Sequence, residues 1–296
     1  MERKAQSAAA DRAANLSCWS GPVLVEPIGG GITNSNFLVR NLGKSHFVRI
    51  GVDIPEHGIK RFFELAASRA AHGAGVSPEV LHHEDGAMVL QFIEGRSLDP
   101  EDIARPEMLE RIVSLIRRCH LEIPNHLRGP AMVFWVFHVI RDYAHTLREK
   151  ESRHSSDLPR LLEIAKGLEA EVGAISLVFG HNDLLSANFI DDGERIWLID
   201  WDYAGFNSPL FDLGGLASNN EFSEEEESRL LEIYFEGKPT EEMFVRYRAM
   251  KCASLLRESM WSMVSELTSN VDFDFKAYTE TNLRRFEEAW SRFKES

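Results

Sequence analysis

Asp183, Asn188 and Asp200 stand five and then twelve residues apart within "FGHNDLLSANFIDDGERIWLIDWDYAG", residues 179 to 205. Each acid adjoins an apolar run, where a carboxylate is costly to desolvate unless its charge is paired or put to use. In this order the three residues match the needs of phosphoryl transfer. One Asp would take the proton of an attacking hydroxyl, and an Asn and a second Asp would hold a Mg²⁺ ion that bridges phosphates. A carboxylate and a neutral amide oxygen are suitable hard-oxygen ligands for that ion. Taken singly, Asp183 and Asn188 could equally cap turns and Asp200 could simply end a strand. His181 precedes Asp183 by two residues and reads as a brace for the loop, not as the base.

These residues need strands to hold them and helices to carry the strands. From residue 23 to about 50, short apolar runs ("VLVEPI", "FLVR", "HFVRI") alternate with Gly and Asn turns, as in an antiparallel meander. A helix is expected from about Ile59 to Ala71, stopped by "GAGVSP", and two strands, "EVLHHE" and "AMVLQF", would close a first lobe near residue 92. Helical spacing then takes over in Leu109, Ile112, Leu115, Ile116 and Cys119, and again in Leu158, Leu161, Leu162, Ala165 and Leu168. Strand-like segments return only at "ISLVFG", "ANFI" and "RIWLID", the last two joined by "DDG". Ser223 and Glu226 have capping-box spacing, and a long helix should run from about Thr240 to Leu267. The division expected is residues 1–92 as a nucleotide-binding lobe and residues 93–296 as a catalytic and acceptor-binding lobe.

Composition narrows the partners. A formal charge of -14 over 296 residues argues against nucleic acid, which needs a basic stripe to displace counterions; an acidic cleft would suit a small cationic molecule, and acidity for solubility alone is the simpler reading of the charge. Cys18, Cys119 and Cys252 are odd in number and far apart, so they offer neither a disulfide framework nor a zinc site. A reducing cytoplasm fits them. "AMVFWVFHVI" is far shorter than the ~20 apolar residues that span a bilayer, and no membrane insertion is expected. The oligomeric state stays open.

"HNDLLSANFI", "LIDWDYAG" and "PLFDLGGL" together resemble the choline/ethanolamine kinase branch of the aminoglycoside phosphotransferase-like family, over roughly residues 25 to 290. The resemblance implies a bilobal, protein-kinase-like α+β fold, with a small antiparallel β-rich first lobe holding one main helix and a larger, mostly helical second lobe. It implies ATP as phosphate donor and Mg²⁺ as cofactor, with Asp183 as catalytic base and Asn188 and Asp200 as magnesium ligands. "GGGITNSN" is glycine-rich between strands, so backbone N–H groups could approach phosphates. By itself it also fits a plain hairpin turn, and the resemblance implies that Gly30, Gly31, Thr33 and Asn34 lie over the ATP phosphates. Arg49 alternates against Val48 and Ile50 on a period-2 strand. Its guanidinium can grip phosphate oxygens in a fork where protein kinases use Lys. Glu64 would orient Arg49, or else form a surface pair with Arg61. Backbone groups near Gln91 and Ile93 would read the adenine.

The acceptor is the less constrained half. Similarity to the C-terminal end of choline kinases implies that Trp261, Phe273 and Tyr278 form an aromatic cage for an ammonium group. Trp261 also lies on a core-like stripe with Met243, Tyr247, Met250, Ser254, Arg257 and Val264. Eukaryotic choline kinases carry a second Trp one turn before this one, where the present chain has Glu258, a carboxylate that could pair with a primary ammonium. Ethanolamine and choline are therefore both expected acceptors, with thiamine or an aminoglycoside, or a nucleotide-binding pseudokinase, as alternatives. Asp202 matches a Glu of the family and either adds negative potential or stabilises the loop. Asp212 is expected near the start of a helix, where its charge would meet unpaired N–H groups, and is assigned to bracing the catalytic loop.

Overall fold

The computed structural model describes residues 2–29 and 34–295; Gly30, Gly31 and Thr33 of the expected phosphate loop lie outside them. The chain opens with α1 (Glu2–Ala14), followed by β1 (Leu24–Ile28), β2 (Ser35–Asn41) and β3 (Lys44–Ile50). Then come α2 (Arg61–Gly73), β4 (Val80–Glu84) and β5 (Ala87–Gln91). The strands form one antiparallel sheet in the order β1-β2-β3-β5-β4. Leu42 and Gly43 join β2 to β3 with φ of +50° and +78°, the paired positive values of a tight hairpin whose twist matches its strands.

Period 2 gives this sheet two different faces. Phe37, Val39, Val48 and Val89 are buried with Ala13 and Leu16 beneath α1, a small core of its own. Phe47, Arg49, Met88 and Leu90 point the other way and line a cleft, with Arg49 opposite Met88 and Phe47 opposite Leu90 in the ladder. α2 starts two residues later than expected. Residues 54–59 close a small loop, with Ile54 paired to Ile59 and Gly58 at φ +70°, and Asp53 Oδ1 takes the Arg61 N–H at 2.8 Å. Ile59 and the α2 residues Ala67, Ala70 and Ala71 belong to the large core of the helical part, not to the core under α1.

Beyond Gln91 come β6 (Arg96–Ser97), α3 (Pro100–Ala104), α4 (Pro106–His126), α5 (Val136–Glu149) and α6 (Leu158–Val172). Next are β7 (Val178–Gly180), β8 (Phe189–Asp191), β9 (Ile196–Leu198) and β10 (Gly205–Asn207). Four helices finish the chain: α7 (Pro209–Asn219), α8 (Glu224–Phe235), α9 (Glu241–Thr268) and α10 (Phe275–Glu295). The short strands form a β7–β10 ribbon and a β6-β8-β9 sheet, all antiparallel. α9 is the spine of this part and packs against α5, α6, α7 and α10. A Cβ at Gly214 would stand 3.0 Å from the Lys251 Cα, so the "GG" of α7 admits the α9 backbone directly. Among the described residues no helix is long and apolar enough to cross a membrane, and Cys18, Cys119 and Cys252 are all free thiols.

Candidate active site

β7 delivers the chain into the loop that carries Asp183. Asn182, the preceding residue, has φ +65°, and its side chain donates to the Tyr203 and Gly205 carbonyls at 2.9 and 3.2 Å. His181 is fully buried; its Nε2 donates to the Ile199 carbonyl at 2.9 Å, and its Nδ1 accepts the Asp183 N–H at 3.3 Å. Burial lowers its pKa against the pull of Asp212, so the ring is a neutral brace between two loops.

Asn188 joins the two acids. Its Nδ2 donates to the Asp183 carbonyl at 3.0 Å, and its own carbonyl accepts Ile199 N at 3.0 Å, one residue before Asp200. With the amide nitrogen engaged, the amide oxygen has acceptor capacity to spare. Asp200 itself has φ +71°, a conformation costly for a non-glycine residue and concentrated at functional sites.

Burial raises the Asp183 carboxyl to about 7; Arg257 pulls the other way, and Glu258, Asp200 and Asp202 add to the rise. At Asp200 burial is outweighed by Arg49, and its carboxyl lies below the ordinary range. The spare lone pairs of Asn188 and an ionised Asp200, 31% exposed at its side chain, are oxygen donors of the kind that Mg²⁺ takes when substrate phosphates complete its shell. Among the described residues no cluster of three or more His, Cys, Asp or Glu is arranged to hold a metal alone.

Arg49 reaches this loop cluster from the sheet. Its Nη1 meets Glu64 at 2.7 Å, Asp200 at 2.9 Å and Asp202 at 3.2 Å. Arg61 bonds Glu64 at 2.7 Å and Asp202 at 2.8 Å. The two partners considered for Glu64 are thus both engaged, and the carboxylate is buried at 2% exposure, so the pair with Arg61 is not a surface one. Asn34 Nδ2 donates to Asp202 at 3.0 Å. Burial and the Asp200 charge push the Asp202 carboxyl up to about 6 despite Arg49. The adjoining cleft is mostly apolar, lined by Phe47, Met88, Leu90, Ile93, Ile190 and Ile199. The Gln91 N–H donates to the Glu79 carbonyl at 2.9 Å, so that amide is already engaged in the sheet.

On the other side of Asp183 a small cavity is lined by Leu184, Asn219, Leu255, Arg257 and Glu258. Glu258 is held at both oxygens, by Tyr278 OH at 2.9 Å and by Arg257 Nη1 at 2.9 Å. The expected aromatic trio is only partly assembled. Trp261 is 7% exposed, donates to Tyr203 OH at 2.8 Å and stacks on His57 at 4.9 Å. Tyr278 stands edge-on to it at 6.4 Å, and Phe273, 41% exposed, packs on Tyr278 at 5.5 Å and on Phe275 at 4.9 Å. Trp261 therefore packs as its periodic stripe suggested.

Two residues escaped sequence reasoning. Arg257 is 4% exposed and lies 4.5 Å from the Tyr203 ring; a cation interrupting an apolar stripe was the available signal. Arg61 was seen only as a rival partner for Glu64. Asp212 lies in the first turn of α7, but Ser208 Oγ caps that helix by accepting Leu210 N at 3.3 Å. The Asp212 carboxylate instead accepts His181 N and Asn182 N at 2.8 and 2.7 Å, so the unpaired N–H groups it meets are those of the loop.

A small antiparallel sheet over a larger helical part, with Asp183, Asn188 and Asp200 drawn together on loops, is the architecture of a kinase-like phosphotransferase. A model of the choline/ethanolamine kinase family matches residues 25–247, and the chain belongs to that family, whose members phosphorylate an alcohol. It is 30% identical over 294 residues to a probable ethanolamine kinase of Arabidopsis thaliana, covering 86% of this chain and 76% of that protein. It is 27% identical over 302 residues to a probable ethanolamine kinase A of Dictyostelium discoideum, covering 91% and 86%. A crystal structure of a choline/ethanolamine kinase family protein from Mesorhizobium loti superposes with TM-score 0.76 at 28% identity, covering 97% of this chain and 94% of that one.

Proposed function

We propose that the protein transfers the γ-phosphate of ATP to the hydroxyl of a small amino alcohol, with ethanolamine preferred over choline, in a Mg²⁺-dependent reaction in the cytoplasm. The observation that carries this reading is the bonding of Asn188 to the Asp183 carbonyl and to Ile199 N, next to Asp200. It supports a base and two metal ligands within one loop cluster. Asp183, its carboxyl near 7, takes the acceptor proton; a base poised near the working pH suits that task. Asn188 and Asp200 would hold Mg²⁺, which when bound neutralises charge on the phosphates. Arg49, oriented by Glu64, grips phosphate oxygens, and the apolar face of Met88 and Leu90 accepts the purine.

Ethanolamine is favoured by Glu258. Tyr278 and Arg257 fix its two oxygens, and each oxygen keeps a lone pair for an ammonium N–H, which choline lacks. His57 covering one face of Trp261 weakens the case for a full cage around trimethylammonium. The pseudokinase alternative is disfavoured by the presence of Asp183, Asn188 and Asp200 together. The test is ADP release from Mg·ATP with ethanolamine, choline, thiamine and kanamycin in turn, with and without EDTA. Turnover highest with ethanolamine and abolished by EDTA is expected; turnover with thiamine or kanamycin alone, or with none of the four, refutes the reading.

A further inference from the structure

Both oxygens of Asp212 are committed to the catalytic loop, Oδ2 to His181 N and Oδ1 to Asn182 N. The second of these amides belongs to a non-glycine residue held at φ +65°, a conformation that persists only where its surroundings over-determine it. Asp183 follows directly, so the direction in which its carboxylate leaves the chain depends on how Asp212 is turned.

What turns Asp212 lies away from the cleft. His120 on α4 places Nε2 2.9 Å from Asp212 Oδ2 and Nδ1 2.7 Å from the Tyr234 hydroxyl on α8. The His120 and Asp212 side chains are 0% and 1% exposed, so water does not substitute for a lost bond. Burial opposes ionisation of Asp212, but the His120 bond and nearby charges outweigh it and keep the carboxyl below its ordinary range. An ionised carboxylate only accepts, so Nε2 donates to Asp212, and Nδ1 shares the second hydrogen bond with the Tyr234 hydroxyl. Burial raises the Tyr234 pKa and keeps its hydroxyl a donor.

We propose that His120 and Tyr234 are positioning residues for phosphoryl transfer: their buried hydrogen-bond chain, crossing from α8 through α4 to α7, fixes the rotation of Asp212 and through it the attitude of Asp183. The inference rests on the reading of Asp183 as the base. It accounts for a His and a Tyr whose polar atoms meet inside the packing of α4, α7 and α8, whereas another polar pair between α4 and α8, Arg229 with Glu110, lies at the surface. It also predicts a particular kinetic signature, because the cleft lined by Arg49, Met88 and Leu90 is built from other elements.

The test compares His120→Leu, His120→Gln and Tyr234→Phe for kcat, KM for Mg·ATP and thermal unfolding. His120→Leu should lower kcat by ~10- to 100-fold, the effect of displacing a reacting group by about an ångström, with KM for Mg·ATP nearly unchanged. His120→Gln, whose amide can still donate to Asp212, should recover most of that loss. Tyr234→Phe breaks only the far link and should lower kcat by about three- to tenfold. Wild-type kcat in a folded His120→Leu overturns the proposal, as does a glutamine variant no better than leucine, or a fall in nucleotide affinity matching the fall in kcat. Should the leucine variant not fold, Tyr234→Phe decides, and an unchanged kcat there is fatal. Asp183→Asn separates the two ideas: if it keeps turnover, the base assignment itself fails whatever His120 does.

Discussion

Asp183 is placed where ionisation is difficult, and that difficulty is useful. Its carboxyl stands near 7 because burial dominates, with Arg257 as the opposing influence. The proposed base would act in its ionised form, so log kcat/KM should fall with unit slope as pH drops below about 7 and level off above it, as measured with saturating Mg²⁺. A flat profile from pH 5 to 8 would remove Asp183 from the base role. Asp183→Asn should lower kcat by ~10²- to 10⁴-fold, the usual weight of general-base catalysis, while Mg·ATP affinity by calorimetry stays within a few-fold. Glu258→Gln keeps the shape and the bond to Tyr278 but removes the charge. It should raise KM for ethanolamine more than for choline; equal effects on both would mean that Glu258 does not read the ammonium.

At the scale of elements, the network of Arg49, Arg61, Glu64, Asp200 and Asp202 ties β3 and α2 to the loop that follows β9. Asp200→Ala removes one proposed metal ligand and one partner of Arg49. Mg·ATP affinity should fall at least ~10-fold, the scale of losing a charge-assisted contact, and an unchanged titration would exclude Asp200 from the metal. Much of this framework was legible from local rules. The hairpin at Leu42 and Gly43, the capping box at Ser223 and Glu226, and Thr240 capping α9 all follow from turn and cap chemistry within a few residues. The segments that escaped depend on distant partners. α1 is rich in small alanines and shows little contrast between faces until the sheet covers it. β6 and β10 are two and three residues long and exist only because β8 and β7 pair with them. The start of α2 was displaced by Asp53, whose Oδ1 accepts the N–H of Arg61, the first residue of the helix, from eight residues before it. Asp183, Asn188 and Asp200 stood out by motif, whereas Arg257 and His120, each set singly among buried apolar positions of its helix, carry no local mark of what they face.

The two parts of the molecule are joined by more than the charged network. The loop after β3 inserts His57 into the helical core, where its ring stacks on Trp261 at 4.9 Å and Nε2 meets Ser265 Oγ at 3.1 Å. Burial, reinforced by Arg257, pushes the His57 pKa down to about 3, so the folded protein keeps this ring neutral. In the unfolded chain the ring titrates near its ordinary ~6.5. As pH falls below that value, the unfolded state binds a proton that the folded state refuses, and stability is lost progressively until the folded value is reached. At pH 5 this single group should cost about 2 kcal/mol relative to pH 7.5, several degrees in Tm for a chain of this size. His181, also held neutral by burial, adds to the same trend. His57→Phe preserves an aromatic ring against Trp261 while deleting the titration, and it gives up only the bond to Ser265. Its Tm at pH 7.5 should be slightly lower than that of the wild type, yet its loss on going to pH 5 should be clearly smaller. Parallel losses in the two proteins, followed by circular dichroism, would mean that the ring is solvated in the native state and that the inserted loop does not seal the junction between the sheet and the helices.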